Sequence, residues 1–472
     1  MQFPYKIRLQ RGRRTRASSL GACAGLVLAT ALAGNVAYTL SSRQAPATAD
    51  RNTASIQVTS EPPGASIEVD GQSRGHTPAS IAVEAGEHEL TLNLPDHAVT
   101  TRMISAAGGR TIHVSVPLWL HTATVSALRP PLPGSAIKDA RFLRDGRIAL
   151  AVLLPNNGGA QAWLIKTDGS FTQIGPDSLP TTTLALGPDG SNIAYLASVS
   201  RDENLGVDSG YREVWLIQGR GRDRKLYVLP ADSNEPLVDV AWAPDGSHLL
   251  LVSNRRSFDG GGTSRLLWMP VSGGVPRELA SLPAEVVRGS YSWSPADEGV
   301  AFLARSNDTV SLCAVRTDGS IFRYLADVSR EVNSLVPYAP LSWSQDGRRV
   351  IYSAPAELKA DADQSPHVLY TDDLSGRPSI RLGTVDGQSP AWRDSGEIIA
   401  LLRTGASKPL VLRTVDSGGT ARDAGVVPLE ADAFAVRWDV AHAQALVAIP
   451  DPSGFSSHQT LWLARWTKGT GR

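Results

Sequence analysis

The sequence predicts an all-β protein: a small β-sandwich, then a larger ring of repeated sheets, behind one N-terminal apolar helix. Three observations predict it. Apolar and polar residues alternate at period two through residues 53 to 118, the mark of strands with one buried face. From residue 142 onward a short phrase recurs at steps of 44, 56, 51, 50, 49 and 46 residues. Long apolar helical patterns are scarce after residue 40, while 43 Gly and 31 Pro suit a chain of many turns.

The N-terminus reads as a membrane address. Residues 1–16 form a basic leader carrying Lys6, Arg8, Arg11, Arg13, Arg14 and Arg16. An uncharged run follows, and residues 17–40 are long enough to span a bilayer as a helix. Positive charge upstream places the leader in the cytoplasm and the bulk outside, as a single-pass signal anchor. The alternative is a signal peptide cut near Ala33, after the small-x-small triplet Ala31-Leu32-Ala33, which releases the protein. Residues 41–52 (SSRQAPATADRN) are small and polar and read as a linker.

Residues 53–118 hold the first β domain. Ile56 and Val58, Ile67 and Val69, Leu90, Leu92 and Leu94, and Ile112, Val114 and Val116 each share one face of a strand. Asp70-Gly71 is a hairpin turn. The order of turns in SEPPGASIEVDGQSRGHTPASIAVEAGEHELTLNL resembles the PEGA domain family. It rests on Ser60, Pro62-Pro63-Gly64-Ala65, Asp70-Gly71, Gly75, Thr77-Pro78 and Gly86. Pro63 stands in place of the acidic residue of the name motif, and Pro95-Asp96-His97 in place of the usual Gly-Tyr pair. The resemblance implies an extracytoplasmic module near the envelope and no catalysis. Gly64, Gly71, Gly75 and Gly86 are expected to serve turns with positive φ.

Residues 119–470 carry the repeats. Trp242 (AWAPDG), Trp293 (SWSPAD), Trp343 (SWSQDG), Trp392 (AWRDSG) and Trp438 (VRWDVA) mark five of them, with Phe142 (FLRDG) and Leu186 (LGPDG) at the same position in two earlier copies. In each, a strand ends at the marker, a tight turn follows, and up to three more strands complete the unit. Four antiparallel strands per unit make a propeller blade. The repeat is similar to the TolB-like and WD-repeat-like β-propeller families, most closely the TolB type, through AWAPDGSHLLLVS and SWSPADEGVAFLA. Seven blades are expected. Six is the alternative, should the degenerate last unit, with Asp439-Val440-Ala441 in place of a Gly turn, pack differently. That unit lacks a fourth strand, and the orphan segment His121 to Leu128 is expected to supply it and close the ring. The marker tryptophans are expected to pack between sheets, and the Asp-Gly pairs to make turns.

The turns joining strands one to two and three to four are short and alike. The other face carries longer, varied loops at 201–213, 254–265, 328–340, 355–367 and 450–459, with Tyr211, Phe258, Tyr338 and Phe455 at their tips. Variable loops on a rigid scaffold are where recognition is usually built.

Chemistry is thin. There is no Gly-x-Ser-x-Gly elbow, and the Gly-rich stretch 258–263 lacks the Gly-Lys-Ser/Thr of a phosphate loop. Asp361-Ala362-Asp363-Gln364-Ser365 has the first spacing of a calcium loop but not its Gly or distal Glu. The nine His are dispersed, and His248 reads as a surface residue. No catalytic, cofactor-binding or metal-binding residue is assigned, and no cofactor is expected. The balance of 46 basic and 46 acidic residues argues against a nucleic-acid surface. Cys23 and Cys313 make no disulfide framework.

The expected function is therefore not enzymatic. It is a membrane-tethered extracytoplasmic binding or scaffold protein that recognises an envelope protein or glycan through the propeller's variable face. Alternatives are an envelope glycan hydrolase or lyase with its site in the channel, or a sensory or chaperone component of an envelope complex.

Overall fold

The computed structural model describes residues 52–166, 168–198, 211–219, 223–233, 235–256, 262–296, 298–306, 309–329, 341–356, 367–384, 388–393, 397–405, 408–416, 420–431, 434–450 and 459–467. The expected leader and apolar helix, the calcium-like segment 361–365, and most of the five long loops lie outside them. Among the described residues, no helix is long and apolar enough to cross a membrane. Among the described residues the regular elements are strands, with short 3-10 turns at Pro155–Asn157 and Val440–His442.

The first β domain is two sheets face to face. One orders Ala79–Glu84, Thr53–Glu61 and Thr111–Pro117, the last two parallel. The other orders Gln72–His76, Ser66–Val69, Gly86–Asn93 and Thr100–Ala106. The alternation in sequence becomes alternation in burial. Ile56, Val58, Ile67, Val69, Leu90 and Leu92 point inward and are all but fully buried, each contributing about 1.5–3 kcal/mol through the area removed from water. Val69 pairs with Gln72 across a two-residue turn in which Asp70 (φ 52°) and Gly71 (φ 73°) are both left-handed, the twist a hairpin favours. Gly64, Gly75 and Gly86 also sit at positive φ.

The rest of the described chain is a β-propeller. Six antiparallel sheets are drawn in order from residues 136–179, 184–228, 237–282, 285–329, 341–384 and 388–430. A further sheet is made of Ala435–Asp439, Gln444–Pro450 and Gln459–Arg465, with Thr124–Ala127 as its fourth strand. The orphan strand before the repeats thus completes the last unit, with Leu463 opposite Ser126 and Ala464 opposite Val125. The unit holding Trp438 is a sheet in its own right. Its turn has the length of the Pro-Asp-Gly turns, Trp438 pairing with Ala445 as Trp242 pairs with Leu249, but the left-handed residue, Ala443 (φ 49°), comes one place later than the glycine of those turns.

Each sheet packs on the next through its own apolar cluster, and the last packs on the first. Ala140, Ile148, Leu150 and Val152 of the first sheet meet Leu446, Ala448, Leu461 and Leu463 of the last. First strands of neighbouring sheets lie against one another, for example Leu341–Trp343 against Gln388–Trp392, so these strands form the hub.

Candidate functional site

The marker position does structural work. The indole Nε1 of Trp242 donates to the Ala185 carbonyl (2.9 Å), that of Trp343 to Ser292 (3.0 Å) and that of Trp438 to Ser389 (2.7 Å). Each bond runs back to the preceding sheet, so the indole is a clamp between neighbours with its one donor satisfied. The turn that follows is equally local. At Asp245-Gly246 the carboxylate accepts from the Ser247 N–H at 2.8 Å, and Gly246 is left-handed (φ 73°).

Where the first strands end, around the axis, these residues enclose a cup of about 350 Å³. Its wall holds the rings of Phe142, Trp242, Tyr291, Trp293, Trp343 and Trp438. Phe142, Trp293 and Trp438 are half-buried, while Trp242 and Trp343 present little more than an edge. Pro188, Pro244 and Pro295 stand at its rim with the exposed Arg144. The cup opens on the short-turn end, not on the long-loop end.

Arg141 and Arg437 line its floor. Arg141 Nε donates to Asp139 (2.9 Å), and Arg437 Nη1 lies 3.3 Å from the same carboxylate. Arg437 also donates to the Ala140 carbonyl (2.6 Å) and, from Nη2, to Gly289 (3.2 Å), so it joins the last sheet to the first and the fourth. Burial opposes the charge on Asp139, but the two guanidinium groups outweigh it and hold the carboxyl far below the usual carboxylate range. The arginines keep 22% and 19% of their side chains exposed, so the floor presents charge to the cup. Farther along the axis Asp239 accepts from Tyr291 Oη and the Gly289 N–H, both at 2.9 Å, and Lys138 donates to the Thr182 carbonyl. Burial pushes the Tyr291 hydroxyl well above its ordinary pKa. Among the described residues, no three His, Cys, Asp or Glu side chains converge as a metal site.

A second aromatic cluster lies at the same end. Trp119, just after the first β domain, is fully buried against Trp466 (5.2 Å between centroids) and Trp438 (6.3 Å). Arg393 lies over the Trp119 ring at 4.9 Å, pairs with Glu397 at 3.1 Å and donates to the Pro117 carbonyl. Backbone bonds from Leu120 to Trp466 and between Ala123 and Val426 continue the seam. It holds the first β domain to the last two sheets.

The sequence assigns no site residue and points to the long loops. Of their tips, Tyr211 is described and bonds Thr182 (2.8 Å); Phe258, Tyr338 and Phe455 lie outside the described residues. His248 is half-buried and stacks on Trp268. A signal for the floor was present nonetheless. The residue before the marker is Ala185, Ala241, Ser292, Ser342 and Ala391 in five repeats, and arginine only in the first and last.

Residues 53–120 match the PEGA domain model. No curated protein matches the chain. Among solved structures, the chain is similar to an oligogalacturonate lyase in complex with manganese (15% identity over 74% of this chain and 97% of that one, TM-score 0.46). It is also similar to TolB from Acinetobacter baumannii (14%, 73% and 79%, TM-score 0.30). A third is the β-propeller domain of the Trilobed protease from Pyrococcus furiosus (14%, 72% and 99%, TM-score 0.40). The chain carries a PEGA domain at residues 53–120, and its structural neighbours are TolB-like and other β-propeller proteins.

Proposed function

We propose that the protein is an extracytoplasmic binding protein, tethered through residues 17–40, in which a PEGA domain carries a seven-bladed propeller that recognises an envelope protein or glycan. The blade count is supported by the sheet order and by the apolar cluster between the first and last sheets. The observation that carries the binding reading is the cup, a concave site with aromatic walls and a cationic floor on a rigid hub. Asp139 and Asp239, the carboxylates described on the axis, are both held by neighbouring donors, which favours recognition over acid–base chemistry.

Affinity capture from detergent-solubilised envelope tests it. The bait is the compact unit from residue 50 to 472, alongside the same unit with Ser342→Phe, which fills the cup from the fifth sheet. An envelope component held by the first bait and lost from the second is the expected result. Equal capture by both moves recognition elsewhere on the propeller, and capture by neither sinks the binding reading.

A further inference from the structure

The cup is built in two tiers that differ in chemistry. The marker position supplies the upper tier, with Phe142, Trp293 and Trp438 half-buried in its wall and Trp242 and Trp343 showing an edge. The position just before the marker supplies the lower tier. There Arg141, Ser292, Ser342 and Arg437, from four different sheets, are all half-buried.

The upper tier offers ring surface and not hydrogen bonds. The indole N–H groups of Trp242, Trp343 and Trp438 are bonded to carbonyls of neighbouring sheets, and that of Trp293 is itself buried. The Tyr291 hydroxyl donates to Asp239. Aromatic faces carry negative π density and attract weakly positive C–H bonds. The lower tier is polar, since serine hydroxyls give and accept and guanidinium groups give. A ligand that satisfies both tiers has a C–H face for the wall and hydroxyls along one edge. A pyranose ring has both. An acyl chain or a purely apolar ring would suit the wall but strip water from the lower tier without replacing its hydrogen bonds. The volume of about 350 Å³ holds one such ring, so further units of a chain leave over the proline rim.

We propose that the cup binds one uncharged pyranose unit of an envelope glycan, its C–H face against the half-buried rings and its hydroxyls at the tier of Ser292 and Ser342. This rests on the binding reading above and names a glycan, rather than a protein, as the partner of that site.

Titration of the full-length chain, in a detergent with no sugar headgroup, tests it by calorimetry and indole fluorescence. The probes are the trimer of N-acetylglucosamine, maltotriose and, to represent a protein side chain, N-acetyltyrosinamide. At least one trisaccharide is expected to bind and to shift the indole emission. Trp293→Leu, at an indole with no hydrogen bond to lose, is expected to weaken binding about tenfold, and Trp293→Phe, which keeps a ring face, to retain most of it. Ser342→Phe is expected to abolish binding by filling the cup. Each variant is compared only if its thermal melt matches the wild type, and Ser342→Phe decides alone should Trp293→Leu not fold. The proposal is overturned if neither trisaccharide binds, if the tyrosine probe binds as tightly as the better sugar, or if the folded variants titrate like the wild type. Sugar binding without capture of any envelope component would remove the envelope-partner reading and leave this one. Capture that excess free trisaccharide does not compete away would remove only this one.

Discussion

Two of the places where tryptophan and arginine come together on the short-turn end of the propeller serve different ends. At the seam with the PEGA domain, Arg393 is 1% exposed, is matched by its own Glu397, and lies flat on the fully buried Trp119. At the cup, Arg141 and Arg437 remain about a fifth exposed and divide one carboxylate between them. A matched, sealed cation next to indole is a structural joint, because the charge has nothing further to attract. At the cup the guanidinium groups still meet solvent. The difference lies in exposure, not residue type.

Breaking the seam is expected to have the largest effect. Trp119→Ala removes a fully buried indole shared by the PEGA domain and the last two sheets, and is expected to cost about 3–5 kcal/mol, measured by chemical denaturation of the 50–472 unit. A loss under about 1 kcal/mol would show that the domains do not depend on this contact. Arg393→Met is expected to be nearly as severe, about 3–5 kcal/mol, because it removes the guanidinium that pairs with the buried Glu397 and lies over Trp119. Adding Glu397→Leu should restore most of that loss, and a double variant as unstable as the single would contradict the joint reading.

The cup should respond less. Arg141→Gln leaves Asp139 with Arg437 and is expected to cost about 1–2 kcal/mol. A cost matching that of Arg393→Met would mean the floor is a joint as well.

The smallest effect sharpens the comparison within the PEGA domain itself. His88 Nδ1 faces Asp70 at 2.7 Å and Nε2 faces the Glu84 carbonyl at 2.8 Å. Both partners only accept, so both ring nitrogens donate and the imidazole is cationic. Hydrogen bonding to Asp70, then to Glu84, raises its pKa above the ordinary value. A raised folded-state pKa gives stability that is full below about pH 6.5, the unfolded histidine's range, and is lost as pH rises through the folded value. Thermal melts of the wild type across that window should therefore show a decline with rising pH that His88→Gln flattens. A wild-type melting temperature that rises over the same window would contradict it.

How much of this was legible in sequence follows from distance along the chain. The repeats could be read because marker, turn and following strand are neighbours in sequence, as in AWAPDGSHLLLVS. Ring closure could be read because the unit after Trp438 visibly lacks a strand and Thr124–Ala127 visibly lacks a sheet. The seam could not, since Trp119 stands before the first marker and Trp466 after the last, and they meet only once the ring closes. The floor was half legible. Arg141 and Arg437 break a run of Ala and Ser before the marker, but that their guanidiniums converge on Asp139 needs the first and last sheets side by side. In the last unit, Ala443 took the left-handed position without glycine, which hid its turn from a search for Asp-Gly.

Recognition at the short-turn end of the axis is tested most directly by hydrogen exchange of the full-length chain, with and without the envelope component that the 50–472 unit captures. Protection centred on residues 141–146, 186–190 and 291–296, with residues 117–123 equally protected in both states, is the expected result. Protection confined to the loops 201–213 and 254–265, with the cup unchanged, would contradict it and return recognition to the opposite face.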